Sequence, residues 1–332
     1  MTHTTIKKIL QSSITYLSIF LISLIIFNLI TPFNLRSNAL ETNKIKIPKY
    51  TYIWENFNLI NIDQQLIGAA ANKIDIIYFN IEFFINPSIN QTKSFLQINS
   101  LIKKAKTYNI KLIGLMGNTD WYKINKNKII YRSLEFIKKY NNTFPISERI
   151  LGLHLNIEFY NDKLYSKSKN YEIGQYLSFF DDMGWEIREY QKMNPEFRFS
   201  TTIPHWTEYN SYIPFTTHNG RYASFFDHSA KIFNNIPNSH IEIMSYRSFA
   251  MGEDSIIDIT KSEFEKAALS YPKLKLVLGV ETINLNDKIV SFYGKQKNYL
   301  ESQLEIVNSK LINHPNYKAI AIHQLKDYLI MK

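Results

Sequence analysis

An α/β fold, a single (β/α)8 TIM barrel preceded by an N-terminal transmembrane or signal segment, is what this sequence predicts, and three observations predict it. Short β-branched and aromatic runs alternate with longer amphipathic stretches from Tyr50 onward, and eight such alternations can be drawn. No composition break or repetitive linker interrupts them, which favours one closed barrel over two smaller domains. A long apolar stretch precedes them and stands outside the alternation. The expected parts are residues 1–40 as signal anchor or signal peptide, 41–49 as a tether, and 50–332 as the barrel domain.

Behind Lys7 and Lys8 runs an uncharged stretch from Ile9 to Ile30, long enough and apolar enough to cross a bilayer. Lysines before the span and the bulk of the chain after it imply a membrane-anchored protein with the barrel outside the cytoplasm. The alternative is a signal peptide cleaved near the small residues Ser37, Asn38 and Ala39, giving a secreted or periplasmic product. The anchor is favoured because the apolar run exceeds a usual signal core and those small residues lie well past its end.

Composition sets the outer bounds. At 45% hydrophobic and 14% aromatic residues, the chain can bury a sizeable core. The absence of cysteine excludes disulfides, thiolate nucleophiles and zinc–thiolate sites. Of 39 basic residues, Lys7, Lys8 and Arg36 fall in the first forty, which leaves 36 against 29 acidic residues in the rest. These are dispersed along helices, as at Lys103, Lys104 and Lys106, so they read as a solvated surface, and no nucleic acid partner is expected. There is no glycine-rich phosphate loop and no nucleophile-elbow serine, and no cofactor is implied.

The eight strands are TYIW, DIIYFNIEF, IKLIGLMG, ILGLHLNIEF, FRFSTTIP, HIEIMSY, KLVLGVET and AIAIH. Between them, TKSFLQINSLIKKAKTY, IIYRSLEFIKKYNN, YLSFFDDMGWEIREYQK, SEFEKAALS and KNYLESQLEIVNSKLIN carry apolar residues at helical spacing. Alternation within a strand assigns faces. In the fourth strand Leu151, Leu153, Leu155 and Ile157 should meet the helices, while Gly152, His154, Asn156 and Glu158 point into the barrel. In the seventh, Leu276, Leu278 and Val280 point out, and Val277, Gly279 and Glu281 point in.

Barrel sites are assembled at the C-terminal ends of the strands. There the sequence delivers Trp54, Glu82, Asn118, Trp121, His154, Asn156, His205, Trp206, Tyr246, Arg247 and His323 as candidate substrate-binding residues. Three of the four tryptophans fall at strand ends, where a ring can stack on a sugar face. Glu158 and Glu281 supply a carboxylate pair, and glycosidic cleavage needs both a proton donor and a second group to attack or stabilise the cationic centre. The expected assignment is Glu158 as general acid/base and Glu281 as nucleophile or charge stabiliser, with Arg247 or a histidine holding one of them ionised. The partner is then an extracytoplasmic polysaccharide or oligosaccharide, with residues 9–30 in the membrane.

The run GLHLNIEFY resembles the fourth-strand motif of chitinase-like glycoside hydrolases, and Met244 to Tyr246 resembles their sixth-strand Met-x-Tyr. The resemblance implies Glu158 as proton donor and Tyr246 as a contact to the substrate's N-acetyl group. Asn156, His154 and Leu151 stand where that family has aspartates. Glutamates on strands four and seven also resemble the retaining-glycosidase clan, although Ile157 separates Glu158 from the nearest asparagine. Two other functions compete. A non-catalytic carbohydrate-binding barrel would keep the tryptophans and show no turnover. A metal-dependent hydrolase or phosphodiesterase would gather His154, Asn156 and Glu158 with His205 and His323.

Overall fold

The computed structural model describes residues 46–55, 62–86 and 88–332. The segment at 1–40 and the tether up to residue 45 lie outside the described residues. Among those that are described, no helix is long and apolar enough to cross a membrane.

Eight parallel strands close into a barrel. In chain order the elements are β1 (Lys49–Ile53), α1 (Ile62–Ala71), β2 (Ile76–Asn80), α2 (Gln91–Thr107), β3 (Lys111–Met116), α3 (Lys128–Thr143) and β4 (Gly152–Leu155). Then follow α4 (Lys169–Gln191), β5 (Arg198–Pro204), a small antiparallel hairpin β6 (Thr216–His218) and β7 (Arg221–Ala223), α5 (Phe225–Asn234) and β8 (Ser239–Met244). The chain continues through α6 (Ile256–Ser270), β9 (Leu276–Glu281), α7 (Lys297–Leu311), β10 (Tyr317–His323) and α8 (Leu325–Ile330). The barrel runs β1-β10-β9-β8-β5-β4-β3-β2, so the first and last strands meet at a seam, with Tyr50 opposite Ala321. All eight expected strands are barrel strands. Four elements were not expected: α1, the hairpin, α5 and α8 are short, and short segments carry too few turns for a periodic signal.

The strands separate two cores. Outward side chains such as Phe79, Leu153, Leu155, Leu276 and Leu278 pack beneath the helices. Inward ones, including Tyr50, Tyr52, Tyr78, Ile113, Leu115 and Val277, fill the barrel. Leu151 corrects the outward assignment: it packs against the inner cluster, because β4 begins only at Gly152 and strand alternation does not reach back to it. Asn141 on α3 clips the approach to β4. Its amide oxygen accepts from the Ile150 N–H at 2.8 Å and its amide nitrogen donates to the Ile150 carbonyl at 3.0 Å.

The barrel interior is more polar than an apolar plug. The Tyr78 hydroxyl meets His240 Nε2 at 2.8 Å, and the Tyr52 hydroxyl meets His154 Nε2 at 3.2 Å. His154 also bonds Ser200 and Thr202, each at 2.8 Å, and lies 4.1 Å from the Tyr78 ring centroid in a stack. Buried polar groups persist because they find partners of this kind.

Burial has a pH consequence here. His154 is fully buried and its imidazole is pushed down to about 3, while burial and the charge of Lys318 also hold His240 low. Both therefore stay neutral in the folded protein where unfolded histidine takes a proton. The unfolded chain gains that proton as pH falls through about 6.5, so stability is lost from there downward, at about 1.4 kcal/mol per pH unit per group. Thermal midpoints recorded between about pH 6 and 4 should fall more steeply in the wild type than in His154→Gln. Equal slopes would mean that His154 titrates normally.

Candidate active site

A cleft of about 450 Å³ opens at the C-terminal ends of the strands, lined among others by Trp54, Asn118, Asn156, Glu158, His323 and Gln324. A cleft of about 510 Å³ on the outer side of α4 is slightly larger. It lies beside a helix, away from the converging strand ends, so the mouth cleft is the better candidate.

Glu158 enters the cleft because the chain leaves β4 at Leu155 and turns into a 3-10 segment at Phe159–Asn161. Its carboxylate accepts from Asn156 Nδ2 at 3.2 Å and from Asn161 Nδ2 at 2.7 Å. The other amide atom of Asn156, Oδ1, is buried without a hydrogen-bond partner. The matching NIEF run at Asn80–Phe83 also breaks from its strand into a 3-10 segment, but there Asn80 turns back, accepting from the Glu82 N–H and donating to the Trp54 carbonyl.

Glu281 is placed differently. It is 3% exposed and does not line the cleft. One oxygen accepts from the Thr282 and Ile283 N–H groups, both at 2.7 Å, and the other faces His323 Nδ1 at 2.9 Å. Trp54 Nε1–H donates to His323 Nε2 at 2.7 Å. An indole only donates, so His323 Nε2 accepts, and the proton of this neutral imidazole sits on Nδ1, directed at Glu281. Glu281 thus holds His323, His323 holds Trp54, and the indole lies nearly parallel to the Tyr52 ring, 7° apart in plane.

Tyr246 is half-buried just beyond β8. Burial raises its phenol well above the usual tyrosine range, and the carboxyl groups of Glu281, Glu242 and Glu158 raise it further. It remains a hydrogen-bond donor. Tyr160 is raised in the same way, by burial and then by Glu158.

Several expected site residues lie elsewhere. Trp121 is buried in the outer core, because the turn after β3 folds its ring under the helices. His154 points inward as expected, but it is wholly buried, two residues deeper than Asn156, and cannot reach a substrate. Glu82 is exposed on its 3-10 turn and does not line the cleft. His205 faces the Met244 carbonyl at 3.2 Å, with burial lowering its imidazole. Trp206 packs 5.0 Å from the Tyr160 ring against the outer core. Arg247 pairs with Asp254 at 2.6 Å and donates to the Tyr246 carbonyl, so it does not serve either site glutamate. The three histidines therefore have separate partners, and no group of three potential ligands able to hold a metal ion occurs among the described residues. Sequence reasoning passed over Glu242 and Tyr52. The first had a readable signal, an acid alternating with Ile241 and Ile243 on a buried strand.

Compared by sequence, the chain matches no protein-family model and no curated protein. By structure it is similar to a GH18 chitinase from Pseudoalteromonas aurantia, at 13% identity and a TM-score of 0.51, covering 85% of this chain and 97% of that one. It is also similar to a GH18 chitinase from Cycas revoluta solved with (GlcNAc)4, at 10% identity and a TM-score of 0.53, covering 85% and 96%. A third likeness is to an exo-β-1,4-mannosidase from an Opitutaceae bacterium, at 11% identity and a TM-score of 0.50, covering 84% and 51%. At these identities the likeness is one of fold: the chain shares the (β/α)8 barrel of these proteins.

Proposed function

We propose that this protein is a glycoside hydrolase that cleaves a polysaccharide outside the cytoplasm, with Glu158 as the group that protonates the leaving oxygen. One observation carries this reading: among the described residues, the cleft lining includes a single carboxylate, Glu158, oriented by two amide donors. The engagement of Glu281 with two backbone N–H groups and His323 favours a holding role for it over nucleophilic attack.

A site with one accessible carboxylate needs another nucleophile. A 2-acetamido group on the substrate supplies one by attacking from within the sugar, as in substrate-assisted glycosidases. The unpartnered Asn156 Oδ1 suits an acetamido N–H, Tyr246 suits its carbonyl, and Trp54 offers a ring face to the pyranose. The Cycas relative is solved with (GlcNAc)4, which points the same way. The apolar run at residues 9–30 supports a membrane tether with the barrel outside.

The test is reducing-end release from β-linked N-acetylglucosamine oligomers beside their deacetylated counterparts. Hydrolysis of the acetylated series alone is expected. Equal cleavage of both would remove the acetamido role, and binding without cleavage of either would leave a carbohydrate-binding barrel. Protease treatment of intact cells should digest the barrel if it faces outward.

A further inference from the structure

We propose that the outer face of α4 carries a second, non-catalytic binding site for a neutral oligosaccharide, in the cleft between that helix, the turn before α3 and the β6–β7 hairpin. The choice of a sugar as occupant rests on the carbohydrate reading above, although this cleft shares no lining residue with the mouth of the barrel.

The cleft follows from the pattern of α4. Ile173, Tyr176, Leu177, Phe180 and Met183 face the core. Asn170, Tyr171, Gly174, Gln175, Ser178 and Asp182 recur three or four residues apart, and so form one stripe on the opposite side. The middle of the stripe is small. Nothing stands within 4 Å of where a Cβ on Gly174 would lie, which leaves the floor of the groove open. Larger side chains rise at its margins: Tyr171 is 66% exposed, and Ile124, on the turn after β3, is 80% exposed. The hairpin supplies His218, whose Nε2 is fixed by Asp181 Oδ2 at 2.6 Å, while Asn219 donates to the same oxygen at 2.8 Å. The cleft encloses about 510 Å³, within the range of small-ligand sites.

Three features define the occupant. Its polar lining is uncommitted: Asn127 holds the N-cap position of α3 without a side-chain capping bond. Asn170, Gln175, Ser178 and Asp182 likewise make no side-chain hydrogen bond or ion pair among the described residues. Amides and a hydroxyl that can both donate and accept match neighbouring sugar hydroxyls, which do the same. The Tyr171 ring is covered by no other aromatic ring among the described residues, and an exposed ring of this kind stacks on a pyranose face. Finally, no lysine or arginine lines the cleft. The nearby lysines are engaged, Lys123 with Asp162 at 2.9 Å, Lys126 with Asp120, and Lys169 over the Tyr165 ring at 5.7 Å. A phosphate or uronate would therefore meet Asp182 without a counter-charge, and an apolar ligand would leave the amides unpaired. A neutral glycan held on this side wall raises the concentration of substrate around the mouth without entering the chemistry.

The experiment is isothermal titration of the full chain in detergent with (GlcNAc)4, cellotetraose and mannotetraose, in a Glu158→Gln background so that no probe is consumed. Gly174→Leu fills the open floor, where a side chain meets no neighbour, and Tyr171→Ala removes the ring. The Glu158→Gln parent is expected to bind one more equivalent of at least one probe than the same chain carrying Gly174→Leu. Tyr171→Ala should weaken that equivalent by about three- to tenfold. Equal stoichiometry and affinity with and without Gly174→Leu overturns the proposal, and so does a parent that binds none of the three probes. If Gly174→Leu loses its cooperative thermal transition, Tyr171→Ala decides alone, because it alters only an exposed ring. Hydrolysis by the wild type without any binding sensitive to Gly174→Leu sinks this site and leaves the catalytic reading. Sensitive binding by a chain that hydrolyses nothing does the reverse.

Discussion

Glu158→Gln is expected to reduce hydrolysis by about 10²- to 10⁴-fold, the usual contribution of a placed general acid, while oligosaccharide affinity stays within a few-fold of wild type. The amide keeps the shape of the group and an oxygen for Asn161, but it has no proton to deliver to a leaving oxygen. Glu281→Gln is expected to behave differently. Its amide oxygen can still accept from Thr282 and Ile283, but its NH2 would confront the Nδ1–H of His323. Two donors facing each other force the imidazole to flip or withdraw, and Trp54 loses its acceptor. The expected signature is weaker binding and a lower thermal midpoint. Loss of turnover in Glu281→Gln with binding and stability intact would restore Glu281 as the nucleophile of a two-carboxylate mechanism.

Gly152→Ala should destabilise the barrel by about 3 kcal/mol or more, near the upper end for overpacked cores. The added Cβ would lie 2.3 Å from the backbone carbonyl oxygen of Arg198, its register partner on β5. A backbone atom held in a strand pair cannot rotate away, so β4 and β5 would have to separate at the base of the strand that presents Glu158. Gly174, on α4, has nothing within 4 Å of the same atom. There the substitution should stabilise by about 0.5–1 kcal/mol, through helix propensity alone. Urea unfolding of the two variants reads the contrast directly, and a loss below about 1 kcal/mol at Gly152 would contradict the close strand approach.

The barrel was legible because its strands are buried on both faces and therefore rich in β-branched and aromatic residues. Alternation within β4 and β9 also assigned faces correctly at Leu153, His154, Leu278 and Gly279. Depth was not legible. His154 and Asn156 share a face, yet two strand residues separate them by about 6.6 Å, enough to leave one in the sealed interior and the other in the cleft. Nor does sequence show which partner a buried polar group will choose. Glu281 takes its own following amides, Arg247 takes Asp254, and Trp121 turns under the helices because of loop geometry that no strand period encodes. Glu242 is the opposite case, an acid set between Ile241 and Ile243 on a fully buried strand, a pattern readable in the sequence itself.

The relay from Glu281 through His323 to Trp54 joins β9, β10 and the end of β1, and so crosses the seam where the first and last barrel strands meet. Contacts of such long sequence separation form only when the intervening loop has been closed. A nascent chain that has not yet delivered its last strand can neither orient this indole nor build this wall of the cleft. Competence to hold a ligand is thereby withheld until β10 has been made and docked, and the emission of Trp54 beside an imidazole becomes an internal reporter of barrel closure.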